Sequence, residues 1–404
     1  MSTQPPTTGF RGQVLIIGGG IGGNALGLFL KKAGISSTIF EGYPYKQAVG
    51  GGLGLAPNGM NVLHALGLAE MAKSRATVAL ENVFLNQQGK LLARFKNGTV
   101  EAFGQPGICI LRSTLYDILT EAAKKQGIDI RYQKKLKTIT YAADKVIAHF
   151  EDGTSAEGDL LIGADGVHSQ TRHLILPNAP KPQYVGIIGV GGVTPAAAVP
   201  NMTRREKEAF TFTYGASGFF GYGCGENGDV LWWSNLVRER ELTRDEILNV
   251  SVEDIQREMM AIFKGYHEPI ETLIRNTHSP IKMNVSDIQT LPTWHNGRVV
   301  LLGDAAHAVS PNSGQGASMA LEDAMLLAKL LHHSADYARV FSRYEQERKP
   351  RVEKIVAEGR RLAGDKKVVT PFQQKIRELM MTVFINLFGT RGQKWLYGYK
   401  VAWE

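Results

Sequence analysis

The hydrophobic pattern opens with a short apolar run, not a long amphipathic repeat. Val14, Leu15, Ile16 and Ile17 are continuous, have strand length and run into glycines, which predicts a buried strand. Residues 24–33 predict a helix closed by Gly34, and residues 38–40 a second strand ending at Glu41, so the start of the chain reads as a βαβ unit. Further on, Ser113 predicts the cap of a helix through Leu115, Leu119, Ala122 and Ala123, with Gly127 as its stop. Strands are expected at 128–132 and 146–150. The Asp152-Gly153 pair then marks a hairpin turn, and a strand at 159–162 runs into Gly163-Ala164-Asp165-Gly166.

From about residue 186 to 237 the texture changes. Apolar and aromatic residues alternate among many glycines, which predicts an antiparallel sheet with strands at 210–214, 219–222 and 231–236. A helix is expected at 253–263, a buried strand at 298–302, a helix near 316–331, and mostly helix from 336. Residues 1–9 are polar and contain proline, and read as a frayed tail.

Three stretches carry chemistry. Gly18-Gly19-Gly20-Ile21-Gly22-Gly23 satisfies G-x-G-x-x-G between a predicted strand and a predicted helix. Gly18 permits the tight turn, Gly20 lets a pyrophosphate approach the backbone, and Gly23 lets the helix pack on the strand. Glu41 ends the next strand roughly 20 residues on, where an acid can bind a ribose hydroxyl. The second stretch runs from Asp159 to Ser169, with Arg172 close behind. It delivers Asp165 and Gly166 from a strand into a turn, and alone it would be an ordinary turn. The third, Gly303-Asp304-Ala305-Ala306-His307, continues as Ser310-Pro311-Asn312-Ser313-Gly314-Gln315-Gly316. Asp304 leaves a strand end and is placed to accept hydrogen bonds from sugar hydroxyls, and the glycines expose N–H groups before a helix. A capped loop entering a core helix explains that third pattern equally well when it is taken alone.

Composition narrows the reading. The 404 residues suit two or three domains, and 43% hydrophobic with 21% charged residues is ordinary for a globular chain. A formal charge of +8 suits anionic ligands, or simply a basic surface; no basic run interleaves with aromatics, so no nucleic-acid partner is expected. Cys109 and Cys224 lack metal-ligand spacing, so no metal site is expected and a reducing, cytoplasmic setting fits. Residues 14–30 form an uncharged stretch near membrane-span length. Their glycine content favours strand, turn and helix over an anchor, and no integral membrane association is expected.

In this order and context, the three motifs resemble the single-component FAD-dependent monooxygenases, the flavoprotein aromatic hydroxylases similar to p-hydroxybenzoate, salicylate and urate hydroxylases. The resemblance spans about residues 12–351. It implies non-covalent FAD, with NADH or NADPH and O2 as co-substrates. It also implies hydroxylation of a small, aromatic or heterocyclic substrate through a flavin C4a-hydroperoxide. By resemblance, Gly18, Gly20, Gly22, Gly23 and Glu41 bind the ADP half of FAD, Arg112 contacts the FAD, and Asp165 lies near the pyrophosphate. Asp304 holds the ribityl and pyrophosphate region. Pro311, Gly314, Gln315 and Gly316 line the isoalloxazine, and residues 50–54, with Gly52 among them, meet its other edge ahead of Pro57 and Asn58.

The implied fold is α/β with an α+β insertion. A discontinuous Rossmann-like FAD domain (11–73, 104–180 and 285–335) holds an inserted antiparallel-sheet substrate domain (74–103 and 181–284), followed by a C-terminal helical region (336–404). If a protein base assists, Tyr214, Tyr222 and His307 are the candidates, although core packing explains the tyrosines and support of the flavin loop explains His307. Other readings are a flavin oxidase or reductase, a halogenase-like enzyme, and a non-catalytic FAD-binding protein. Trp232-Trp233-Ser234 does not match the halogenase Trp-x-Trp-x-Ile-Pro element. The chain is expected as a monomer or homodimer. The basic, partly apolar segment 371–395 could lie on a membrane surface, although a solvated or docked helix fits it better.

Overall fold

The computed structural model describes residues 9–45, 51–364 and 370–403. Its first sheet has six strands in the order His295–Asn296, Val299–Leu301, Leu160–Gly163, Gln13–Ile17, Ser36–Phe40 and Asp129–Arg131. All pairings are parallel except that of the outermost His295–Asn296 strand. The central strands are unbroken apolar runs because both faces are buried, as parallel sheets require. The register aligns Ile17 with both Phe40 and Gly163, and Gly163 with Leu301, so the strands end level along one carboxyl edge.

The helix Ile21–Lys32 follows the first strand and packs against the later helix Gly316–His333. Gly9 departs from the frayed-tail expectation: it is buried, and a Cβ there would lie 2.0 Å from the His332 oxygen. Next to it, the Phe10 N–H donates to the Leu331 carbonyl at 2.8 Å, and its ring is buried in the main core. The rest of that predicted tail, residues 1–8, lies outside the described residues. Ser113 also departs from expectation. The strand Ile108–Leu111 feeds directly into the helix Arg112–Lys125, so Leu111 holds the cap position and Ser113 sits inside the first turn.

A second sheet has seven strands in the order Ile281–Asp287, Gln183–Thr194, Val230–Val237, Phe219–Cys224, Ala209–Tyr214, Glu81–Asn86 and Leu91–Lys96. It is antiparallel apart from the pairing of Ala209–Tyr214 with Glu81–Asn86. Phe220, Tyr222 and Trp232 alternate onto one face, where they pack with Phe263, Ile270 and Leu273 from the helical segments behind the sheet. Phe210, Phe212, Gly221 and Trp233 alternate onto the other. A small sheet of Gly52–Leu55, Ile108–Leu111 and Thr77–Val78 lies against that second face. Two long helices, Tyr337–Gly364 and Pro371–Tyr397, follow, and Trp403 beyond them stacks on Phe29 at 5.1 Å. Among the described residues, no helix is long and apolar enough to cross a membrane.

Candidate functional site

The three predicted motifs meet at the carboxyl edge of the first sheet, where ligands bind in open α/β folds. The Gly18 N–H donates to the Phe40 carbonyl at 2.8 Å, Ala164 N–H to the Ile17 carbonyl at 2.7 Å, and Leu302 N–H to the Gly163 carbonyl at 2.9 Å. Gly18 has φ of +104°, and a Cβ there would lie 2.4 Å from the Ala164 oxygen. Glycine therefore satisfies both the left-handed backbone and the contact between the first two motifs. A Cβ at Gly23 would lie 1.9 Å from the Gly18 oxygen, and one at Gly22 would lie 2.7 Å from Leu302. The α-carbons of these two glycines thus face packing contacts. Gly20 differs, because a Cβ there would meet only open space. Gly20 caps the helix Ile21–Lys32 without a side-chain hydrogen bond, and no acid sits in its first turn. The first amides of that helix are therefore left to an external anion.

Glu41 closes one side of this turn. Its carboxylate accepts from the Gly19 N–H at 2.7 Å and from the Tyr43 N–H at 2.9 Å. Asp165 is committed to its own loop. It accepts from the Ser169 hydroxyl at 2.5 Å and from the Thr171 N–H and hydroxyl at 2.9 and 3.0 Å. Burial raises its carboxyl above the usual range, against those hydrogen bonds. These hydrogen bonds shape the turn. Arg172 then joins the second motif to the third, donating to the Ala305 and Val167 carbonyls at 2.9 and 2.7 Å.

Asp304 is half-buried after Gly303, whose φ is +61°, and its carboxylate has no partner among the described residues. Beyond it, Pro311–Ser313 form a short turn, Gly314 has φ of +61° with open space where a Cβ would be, and Gly316 begins the helix Gly316–His333. That helix also lacks a side-chain cap and a first-turn acid. The buried Gln315 accepts from Asn58 Nδ2 at 2.9 Å, which ties this loop to the segment after Leu55. Arg112 begins the helix Arg112–Lys125. Its N–H donates to the Gly51 carbonyl at 3.2 Å, and its exposed guanidinium has no partner among the described residues. Gly50, at the start of the predicted glycine segment, lies outside the described residues. Gly52 and Gly54 approach the second sheet so closely that a Cβ at Gly52 would lie 2.5 Å from Leu231, and one at Gly54 would lie 3.0 Å from the Phe210 ring.

The sheet face turned toward these glycines is aromatic. Phe212 stacks on Phe84 at 5.1 Å and meets Trp233 edge-on at 6.1 Å, and Tyr214 lies 5.1 Å from Phe219 at the far end of the row. Tyr214 stays on this face, with the Arg377 guanidinium 5.9 Å from its ring. Tyr222 does not. It is 4% exposed on the opposite face, and burial pushes its hydroxyl up to about 12. It is a core residue, which corrects its candidacy as a base.

His307 is likewise withdrawn from the crevice. Its Nε2 lies 2.6 Å from an Asp323 oxygen that also accepts the Gly303 N–H at 3.0 Å, and its ring packs on Trp294 at 5.1 Å. Sequence reasoning missed the buried network behind it. Arg348 binds Asp323 at 2.6 Å and Glu322 at 2.7 Å; Glu322 also takes Arg351 at 3.0 Å and Asn58 at 2.6 Å. Burial would raise the Asp323 carboxyl, but His307 and Arg348 outweigh it and hold it at about 2. The adjacent acids Glu322 and Asp323 within an apolar helix were the available signal.

These features suit an extended anionic nucleotide. Two long helices present unfilled N-termini, Gly20 and Gly314 leave open space, and Asp304 is an unpartnered half-buried carboxylate at a strand end.

Residues 11–359 match the family described as FAD binding domain. The chain is 31% identical over 371 residues to the aurachin C monooxygenase/isomerase of Stigmatella aurantiaca, covering 91% of this chain and 93% of that protein. It is 29% identical to the 6-hydroxynicotinate 3-monooxygenase of Bordetella bronchiseptica, covering 85% and 89%. Among solved structures, Klebsiella pneumoniae HpxO complexed with FAD and uric acid superposes with a TM-score of 0.83 over 95% of this chain and 97% of that one; at 22% identity this likeness bears on the fold alone. A family match over most of the chain, joined to relatives named as monooxygenases, shows that the chain belongs to the FAD-binding-domain family of flavoprotein monooxygenases, with FAD as its cofactor.

Proposed function

We propose that the chain hydroxylates a small electron-rich aromatic or heterocyclic ring held over the Phe84, Phe212 and Trp233 row of the second sheet, beside the Gly52–Leu55 strand that covers the neighbouring part of that face, with NAD(P)H and O2 as co-substrates. The observation that carries this is the row of Phe84, Phe212 and Trp233, which offers flat apolar walls and edge contacts to a planar ring. The relatives named for hydroxynicotinate and aminohydroxybenzoate support a ring of this class.

The cofactor would be held by Gly18 and Gly20 at its pyrophosphate, Glu41 at a ribose, Asp304 at the polyol chain, and Arg112, Gly52, Pro311 and Gly314–Gly316 around the ring system. When bound, FAD supplies the redox chemistry. The protein binds and orients the ring, keeps water from it, and offers the amides at the start of Gly316–His333 to negative charge. Electron density for the reaction comes from the substrate's own hydroxyl or ring nitrogen. Tyr214 is the one proposed base left on the aromatic face. The division into a discontinuous FAD domain, an inserted sheet domain and C-terminal helices follows the same reading, as does a cytoplasmic setting for two buried free thiols.

The test is a small library of hydroxylated benzoates and pyridines, screened for stimulated NADH and NADPH oxidation with mass analysis of the products. An added oxygen atom in one ring compound is expected. Stimulated oxygen uptake that yields only hydrogen peroxide with every compound would sink the proposal.

A further inference from the structure

Among the described residues, the helix Pro371–Tyr397 leaves its outer face uncovered. Its inner face is anchored along its length. Arg377 donates to the Gly215 carbonyl at 2.6 Å, Asn386 to the Leu92 carbonyl at 3.3 Å, and Arg351 to the Leu396 carbonyl at 2.8 Å. The helix lies along Leu91–Lys96, the outermost strand of the second sheet, so it screens the strand edge that could otherwise recruit another chain. Its outer face carries Phe372, Ile376, Leu379, Met380, Val383 and Leu387, each between 44% and 72% exposed. Steps of three and four residues put these six on a single stripe, the spacing of a helix–helix seam.

We propose that this stripe is the interface of a two-fold homodimer, helix against helix. Covering the six side chains removes on the order of 600 Å² per copy, roughly 1,200 Å² for the pair, where specific stable interfaces begin. The exposed Leu91 on the neighbouring strand widens the patch. Charge favours a second copy over a lipid surface. An interfacial helix draws affinity from lysines and arginines along its polar border. Here the border between Phe372 and Leu387 offers Gln373, Thr382 and Asn386, with Lys375 as its one exposed formal charge among the described residues. Two such faces meet with little like-charge repulsion. A two-fold axis near Leu379 and Met380 sets Phe372 of each copy against Leu387 of the other, an isologous contact that closes on itself.

Sedimentation of the FAD-loaded enzyme at micromolar concentration is expected to give twice the 44.2 kDa chain mass. Leu379→Glu with Val383→Glu is expected to weaken association by roughly 100-fold or more, because each copy would bury unpaired charge, while the flavin spectrum and NAD(P)H oxidation persist. Met380→Cys in an otherwise unchanged chain should form an intermolecular disulfide on mild oxidation. A wild-type enzyme that stays monomeric at about 100 µM overturns the proposal. So does a dimer that survives the double glutamate substitution. A monomer that pelts down with anionic phosphatidylglycerol vesicles through this helix overturns it in favour of a membrane surface.

Discussion

Asp304 and Asp323 bracket one backbone turn and answer to different chemistry. Asp304 has no protein partner among the described residues, so Asp304→Ala removes nothing from the apoprotein fold. It does remove a charged acceptor from the proposed polyol site, a loss of about 2 kcal/mol or roughly 30-fold in FAD affinity. Titration of stripped protein with FAD, read by flavin fluorescence, checks the affinity, and the melting temperature of the apoprotein should be unchanged. Asp323 is the reverse case. It is buried and receives His307, Arg348 and the Gly303 N–H. Asp323→Asn leaves Arg348 undercompensated and is expected to lower stability by about 3 kcal/mol with or without cofactor. Because the Asp323 carboxyl is held at about 2, below its ordinary 3.8, its contribution is complete above pH 3.8 and fades as pH falls toward 2. Urea midpoints of wild type and variant should therefore differ most at neutral pH and converge in acid. A constant gap down to pH 2 would contradict the ion-pair assignment.

At the scale of elements, two glycines of similar sequence texture have opposite jobs. Gly52 lies in a strand pressed on Leu231, and Gly20 lies at a helix start facing open space. Gly52→Ala sets a Cβ 2.5 Å from the Leu231 Cβ, an atom close to the backbone that cannot swing away, so the strand must shift. A loss of about 2 kcal/mol in urea stability and a raised KM are expected, since this strand forms one wall of the proposed substrate pocket. Gly20→Ala should leave the apoprotein's stability within about 0.5 kcal/mol and weaken FAD binding, by placing a methyl where the pyrophosphate approaches. Equal destabilisation of both apoproteins would refute the contrast. The packing role of Gly23 was legible from its place in the motif, whereas the packing contacts of Gly22 and Gly52, both expected at the cofactor, were not, because ligand-facing and packing glycines share the same short-range pattern. The βαβ start and the sheet-rich insert were legible, because a continuous apolar run and strict alternation encode burial on two faces or one. Tyr222 was left open between base and core for a related reason. Aromatic residues occupy both faces of the Phe219–Cys224 strand, so alternation alone does not say which row faces the ligand. The Glu322–Asp323–Arg348–Arg351 network was hidden because its partners lie on different helices, and charges in a helix read first as solvated.

Across the whole molecule, the proposed assignment would have FAD take contacts from residues 18–23, 41, 112 and 304–316, which lie far apart along the chain. A ligand that bridges such distant segments stabilises them together. FAD at about a thousand times its Kd adds about 4 kcal/mol to the folded state, and stripping it should lower the melting temperature by several degrees. The spatial pattern is the sharper expectation. The amides at the starts of Ile21–Lys32 and Gly316–His333 have no intrahelical acceptor, so in stripped protein they exchange with solvent. Adding FAD should slow hydrogen exchange at both helix starts with the same concentration midpoint. Phe220 and Trp232, buried behind the second sheet, should keep their protection throughout. Two different midpoints, or protection at the first helix start alone, would mean that these segments do not hold one nucleotide, and the assignment of Asp304 and Gly314–Gly316 to the flavin would fall with it.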